Sequence, residues 1–343
     1  MFLDKVRQMK TNLSLRGRVV SASAIVAALA VAACGGVAAS DTTATTASTT
    51  TATTAATTSS GTKASLKKTK WGKNMTVSYG TSTIRLRSNG IPTQARPKYY
   101  AVPKQGAELG AITAANSEVA ADPITEQSYD YKITTNPKKN SKTTAAPLGS
   151  IGMMISGAVL FNPYEADSTT VAQASNFSLT APDGSVASFI DTCNGHSTPA
   201  MGNGGGQYHY HALPVCVSKT VDTSTGPSHI LGVAFDGFPI YGKRDIKGKV
   251  IPVSKLDKCN GITSPTPEFP NGIYHYVLPG TNNATSSIRC FRGKVDSSLI
   301  TQMPNMGGGP PGGGPPGGGP PPATARAASA AVRLLCDLTG VGL

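Results

Sequence analysis

Long apolar runs are missing from this chain. The best is Val19 to Ala30, too short and too rich in alanine for a membrane span. It fits the core of a secretory signal behind the basic residues Lys5, Arg7, Lys10, Arg16 and Arg18. Carboxylates are scarce too: 18 acidic residues stand against 31 basic ones, so the oxygen-rich ligand sets of calcium and magnesium have little to draw on. No Cys-x-x-Cys pair occurs, which argues against a structural zinc site of the usual sort. Also absent are His-Glu-x-x-His, Gly-x-Ser-x-Gly and the phosphate-binding Gly-rich loop. The sequence therefore offers no nucleophile. Helix signals are few, the best being the short stretch from Glu165 to Ala174. Histidine is rare as well: there are five, all between His196 and His275.

Much of the chain has the composition of delivery and spacing. The signal core runs into Val31-Ala-Ala-Cys34-Gly35, which resembles a bacterial lipobox. That resemblance implies cleavage before Cys34, diacylation of its thiol and attachment to a membrane through it. Gly35 is not Asp, so the usual inner-membrane retention signal is absent. The expected location is the bacterial cell envelope, facing the periplasm or on the surface of the outer membrane. A Thr/Ala/Ser tract from about Ser40 to Ser60 then reads as a flexible polar spacer. Lys63, Lys67, Lys68, Lys70 and Lys73 could touch a polyanion or an anionic lipid surface, but read first as the solvated end of that spacer. No nucleic-acid module accompanies them, and no nucleic-acid partner is expected. At the rear, Gly307 to Pro322 repeats Gly-Gly-Gly-Pro-Pro as an extended tail. Beyond it, Ala327 to Leu338 could form a short helix, and Cys336 reads as a free thiol or an intermolecular disulfide. The expected boundaries are 1–33 signal, 34–70 lipid attachment and linker, 71–303 folded domain and 304–343 tail. The domain keeps about 220 to 230 residues, enough for one real core.

Within the domain the period is two. Met75, Val77 and Tyr79 alternate, as do Ile84 and Leu86, and then Tyr129, Tyr131 and Ile133. Asn89-Gly90-Ile91-Pro92 is a turn, and Pro97 to Pro123 shows so weak a pattern that mostly loop is expected. Ile151 to Phe161 is apolar and broken by glycine, which predicts two buried strands joined by a tight turn. The fold class expected is all-β, with few short helices.

The densest chemistry lies in Gly204-Gly-Gly-Gln-Tyr208-His209-Tyr210-His211. Alternation at the strand period puts His209 and His211 on one face, where both can reach one ion or one buried polar partner. Parts of this region recur. Asp191-Thr-Cys193-Asn-Gly195 returns as Asp257-Lys-Cys259-Asn-Gly261, and Tyr208-His-Tyr210 as Tyr274-His-Tyr276. Cysteine to histidine is 16 residues in both copies. Two pseudo-repeated units, around 157–216 and 237–290, are expected to pack face to face in one domain. The first would supply more ligands, since Ile262 and Val277 stand where it has His196 and His211.

Cys193-Asn-Gly-His196, Tyr208-His-Tyr-His211, Ala234-Phe-Asp-Gly-Phe-Pro-Ile-Tyr-Gly242, Cys259-Asn-Gly261, Tyr274-His-Tyr276 and Cys290-Phe-Arg-Gly293 together resemble the YHYH domain family. The match runs roughly from Tyr129 to Gly293. The resemblance implies an exported, often lipid-anchored protein and no established reaction. Where the closest family patterns place a histidine soon after Asn-Gly-Ile-Pro, this chain has Thr93-Gln94, so no role for that position is carried over.

Cys193, Cys216, Cys259 and Cys290 form an even set in an exported domain and read as disulfides. Three pairings are possible; Cys193 with Cys216 and Cys259 with Cys290 is favoured, one bridge per repeat. His209, His211, His196 and His275 are the candidate metal ligands, with Asp236 as an oxygen neighbour. Asp236-Gly237 is first of all a hairpin turn signal, and His229 an ordinary loop histidine. Neutral imidazoles with few carboxylates suit copper or zinc. Reference histidine values predict release of the ion below about pH 5 to 6. Two other readings stay open: a surface module binding glycan or a protein partner through structural histidines, and a hydrolase using a His/Asp acid–base pair.

Overall fold

The computed structural model describes residues 54–300, apart from 105–106, 108–111, 174–176 and 199–205. The lipobox with Cys34, the Gly/Pro tract, the 327–338 segment and Cys336 lie outside the described residues. Strands, numbered along the chain, make four sheets. One holds β1 (Met75–Tyr79), β2 (Thr83–Ser88) and β5 (Tyr129–Thr134). Here the alternation works as the sequence predicts: Ile84 and Leu86 are buried, while Arg85 and Arg87 point out and both meet Asp130. A second sheet runs β4 (Ser117–Ala121), β3 (Tyr99–Pro103), β10 (Val186–Ser188), β9 (Ser178–Thr180). A ribbon pairs β6 (Thr144–Ala145) with β17 (Cys290–Phe291).

The central sheet has eight strands: β7 (Gly152–Met154), β8 (Val159–Leu160), β11 (Gly195–Ser197), β12 (Tyr208–Tyr210), β13 (Ile230–Ala234), β14 (Pro239–Tyr241), β15 (Gly261–Thr266) and β16 (Phe269–Val277). Their spatial order is β11-β12-β8-β7-β13-β14-β16-β15. From either edge inward the pairing is antiparallel, then parallel, then antiparallel. Gly195 faces Tyr210 as Gly261 faces Tyr276, and His196 faces His209 as Ile262 faces His275. The two sequence-related stretches thus lie side by side in one sheet rather than face to face. β7, β8, β13 and β14 are buried throughout and carry near-continuous apolar runs instead of a half-buried alternation, while β12, buried as well, alternates tyrosine with histidine.

Three local expectations are corrected. The end of the presumed spacer is a helix, α1 (Thr54–Lys68), docked on the domain. Leu66 is fully buried, and its carbonyl accepts hydrogen bonds from Trp71 Nε1 and Tyr79 Oη. Those two donors close the helix end, where Lys67 and Lys68 also suit the negative end of the dipole. The segment between Pro97 and Pro123 is not mostly loop: β3 and β4 pair antiparallel there, from Tyr99 opposite Ala121 to Pro103 opposite Ser117. And the described part of the expected helix, Glu165 to Gln173, is no helix. The Asp167 carboxylate accepts from the N–H groups of Thr169 and Thr170, folding a turn that brings Tyr164 opposite Val171.

A second helix, α2 (Val215–Ser218), carries Cys216. Cys193 is bridged to Cys216 and Cys259 to Cys290, the favoured one of the three pairings. Two structural disulfides fit an exported protein in an oxidising compartment.

Candidate metal centre

The site begins with a loop the sequence repeats. Asn194 turns the chain with a positive φ of 63°, a conformation Asn tolerates better than most residues. The Asp191 carboxylate accepts from the N–H of Cys193 and of Gly195, and on its other oxygen from Tyr208 and Tyr100. A Cβ on Gly195 would fall 2.3 Å from the Tyr208 hydroxyl oxygen, so only glycine lets that ring lie across the loop and reach Asp191. This fixes β11 against β12 and sets His196 directly opposite His209. The second loop is built alike: Asn260 has φ 67°, and Asp257 accepts from the N–H of Cys259 and Gly261 and from Tyr274.

On the face away from Tyr208 and Tyr210, His209 reaches His211, which follows β12. Their Nε2 atoms are 2.9 Å apart, and the Nε2 of His196 is 3.1 Å from that of His211. All three side chains are buried. The opposite ends of two rings are tied down: His209 Nδ1 meets the Gln207 carbonyl at 3.0 Å, and His211 Nδ1 meets the Asn162 carbonyl at 2.6 Å. A carbonyl only accepts, so each Nδ1 carries the proton and each Nε2 presents a lone pair. Two lone pairs held 2.9 Å apart repel unless a cation stands between them. Ligand nitrogens bound to zinc at about 2.0–2.1 Å in a tetrahedron are spaced ~3.3 Å apart, close to the spacing here. The donor set is three imidazoles, and no carboxylate or thiol among the described residues joins it. Three imidazoles could hold a metal ion, and without a carboxylate or carbonyl ligand they do not make the oxygen-rich set of calcium or magnesium.

The walls are aromatic. Phe161 stacks on His209 with ring centroids 3.9 Å apart and meets His211 edge-on, while Phe189 lies edge-on to His196. Burial in these walls holds His196 and His209 well below the usual histidine range. It pushes His211 down to about 4, against a smaller opposite pull from the Asn162 carbonyl. Burial therefore favours the neutral, lone-pair-bearing form of all three imidazoles.

Two sequence candidates lie elsewhere. His275 is on β16, and β8, β7, β13 and β14 lie between it and β12, roughly 24 Å at the usual strand spacing. Its Nδ1 meets the Ile273 carbonyl and its ring lies against Tyr241. The repeat relation that suggested it could not show that the two copies sit in opposite halves of one sheet. Asp236 sits in the β13–β14 turn, fully buried, where it accepts from Tyr276 Oη at 2.5 Å and from the Gly293 N–H at 2.8 Å. It serves the turn and the Cys290–Gly293 segment. The turn signal was the right reading of it: Gly237 has φ 89°, and its position is crowded by the Thr134 carbonyl.

The sequence reading missed Asn162 and Gln207, whose backbone carbonyls orient the rings, and Phe161 and Phe189, which wall the site. Carbonyl ligation leaves no side-chain signature. Gln94, standing where the family pattern suggested a histidine, donates from Nε2 to Tyr210 Oη at 2.6 Å. It braces the opposite face of the same strand.

The family model described as YHYH protein matches residues 130–250 and 248–293. Comparison with curated proteins and with solved structures gave no match.

Proposed function

Residues 130–293 belong to the YHYH protein family, and from the histidine cluster buried in that domain we propose that this chain is an exported, lipid-anchored protein holding one transition-metal ion, copper or zinc, at His196, His209 and His211. One observation carries the reading: the Nε2 atoms of His196 and His209 each lie within hydrogen-bond distance of that of His211, and two of the three rings have Nδ1 committed to a backbone carbonyl. Carbonyl bonds of that kind are the usual way a protein fixes the tautomer and aim of a metal-binding imidazole.

Elemental analysis of the domain, purified from its own compartment, tests this. About one ion per chain is expected, and His209→Ala with His211→Ala should remove it while the β-rich circular dichroism persists. The lowered values of the cluster also shift the acid limit. Since protons compete poorly for these imidazoles, the ion should stay bound at pH 5 and leave only towards about pH 4, lower than reference histidines would predict. A wild-type domain that never carries stoichiometric metal, together with a double variant that unfolds, would make the histidines structural. A surface module for glycan or a protein partner is then the better account.

A further inference from the structure

The lysines at the end of α1 border a second site, remote in chemistry from the histidine cluster. A cleft of about 370 Å³ is lined by Ser65, Lys68, Thr69, Lys70, His229 and Glu268, among others. It adjoins a second cleft of about 290 Å³ that shares Lys70 and adds Lys73. Among the described residues none of these three lysines makes an ion pair. The carboxylate in the first cleft, Glu268, is already committed on both oxygens. Oε1 meets His229 Nδ1 at 2.8 Å, and Oε2 accepts from Tyr241 Oη at 2.8 Å. Tyr241 is in turn held by Thr266 Oγ1 at 3.0 Å, and the Glu268 carbonyl accepts from Ser65 Oγ. Glu268 therefore orients His229 rather than neutralising the lysines. With Nδ1 engaged, the Nε2 of His229 has no hydrogen-bond partner among the described residues.

We propose that this cleft binds a phosphate-bearing group. The charged oxygens of a phosphate accept from Lys68 and Lys70, and a hydroxyl of the ligand, on the phosphate itself or on a glycerol headgroup, donates to His229 Nε2. Lysine serves as a point-charge phosphate binder, and two of them beside an oriented imidazole make a pocket rather than a diffuse basic face. A free phosphate compound and the headgroup of an anionic lipid share this chemistry.

Nitrogen-15 NMR titration of the full chain separates them. One arm uses inorganic phosphate, with sodium chloride at equal ionic strength as the control. The other uses vesicles of phosphatidylglycerol in phosphatidylcholine, with phosphatidylcholine alone as the control. Expected are shifts at Ser65, Thr69, Val221 and His229, and binding at least tenfold weaker in a Lys68→Gln, Lys70→Gln variant but unchanged in Lys63→Gln, Lys67→Gln. His229→Gln should weaken the phosphate arm as well. The pattern in the phosphate arm assigns a free ligand; the same pattern with vesicles alone assigns a headgroup. Equal loss in both lysine pairs shows a diffuse basic surface and overturns the proposal, as does the absence of response in both arms. Metal content is untouched by either result, so the two sites are tested apart.

Discussion

Asp236 is a carboxyl buried for structural reasons, and it should write itself into the pH dependence of stability. Burial pushes it from 3.8 up to about 6, against hydrogen bonds from Tyr276 and from the N–H groups of Gly293 and Phe238 that pull the other way. Below pH 3.8 both folded and unfolded chains hold the proton. Between 3.8 and 6 the unfolded chain sheds it first, and above 6 the folded state carries the full cost of the charge, roughly 3 kcal/mol. Acidification from pH 7 to 4 should therefore favour wild type over Asp236→Asn by about that amount, as read from urea midpoints at each pH. Taking the difference between the two proteins cancels the opposite trend from the buried histidines, whose unfolded forms gain protons below pH 6.5. A difference that does not change with pH would show that Asp236 ionises normally. At Gly261 the constraint is steric. A Cβ there would lie 1.8 Å from the Tyr274 hydroxyl oxygen, so Gly261→Ala must displace the ring from Asp257. A loss of about 1–3 kcal/mol is expected.

At the scale of elements, α1 is the clearest case of tertiary structure overriding local preference. Its sequence is rich in Thr and Ser, poor helix formers, and as composition it reads as spacer. What decides is Leu66, together with the donors from Trp71 and Tyr79 that satisfy its carbonyl. Leu66→Ala should cost about 2–5 kcal/mol and expose the 54–70 segment to limited proteolysis; a stability unchanged from wild type would mean that the helix is not part of the fold. β1, β2 and β5 were readable because one face is solvated and the alternation shows. β3 was not: its sequence, Tyr99-Tyr-Ala-Val-Pro103, mixes buried and half-buried positions without a clean period, and β4 pairs with it only across a long connection. The disulfide Cys259–Cys290 ties β17 to the loop before β15. Replacing both cysteines by serine should lower stability by about 2–4 kcal/mol, by the chain-entropy argument for a 31-residue separation.

At the scale of the whole molecule, the expected lipid anchor falls outside the described residues, and no described helix is long and apolar enough to cross a membrane. Cys34→Ser should abolish processing and shift the protein out of the detergent phase; unchanged partition would remove the lipobox reading. Composition and local period are linear properties, and the sequence by itself determined a β-rich domain, an even set of domain cysteines and a histidine-bearing strand. It also determined that His209 and His211 share a face, because the strand period is local. Which other groups meet that face depended on strand order. His196 arrives because the Asp191 loop sets β11 beside β12, and His275 does not because four strands lie between. Likewise the carbonyls of Gln207 and Asn162, which aim the rings, carry no residue signature at all. Only the packed sheet decided the His196 and Asn162 contacts, since each requires two segments separated along the chain to be fixed within hydrogen-bond reach, whereas Gln207 lies two residues from His209.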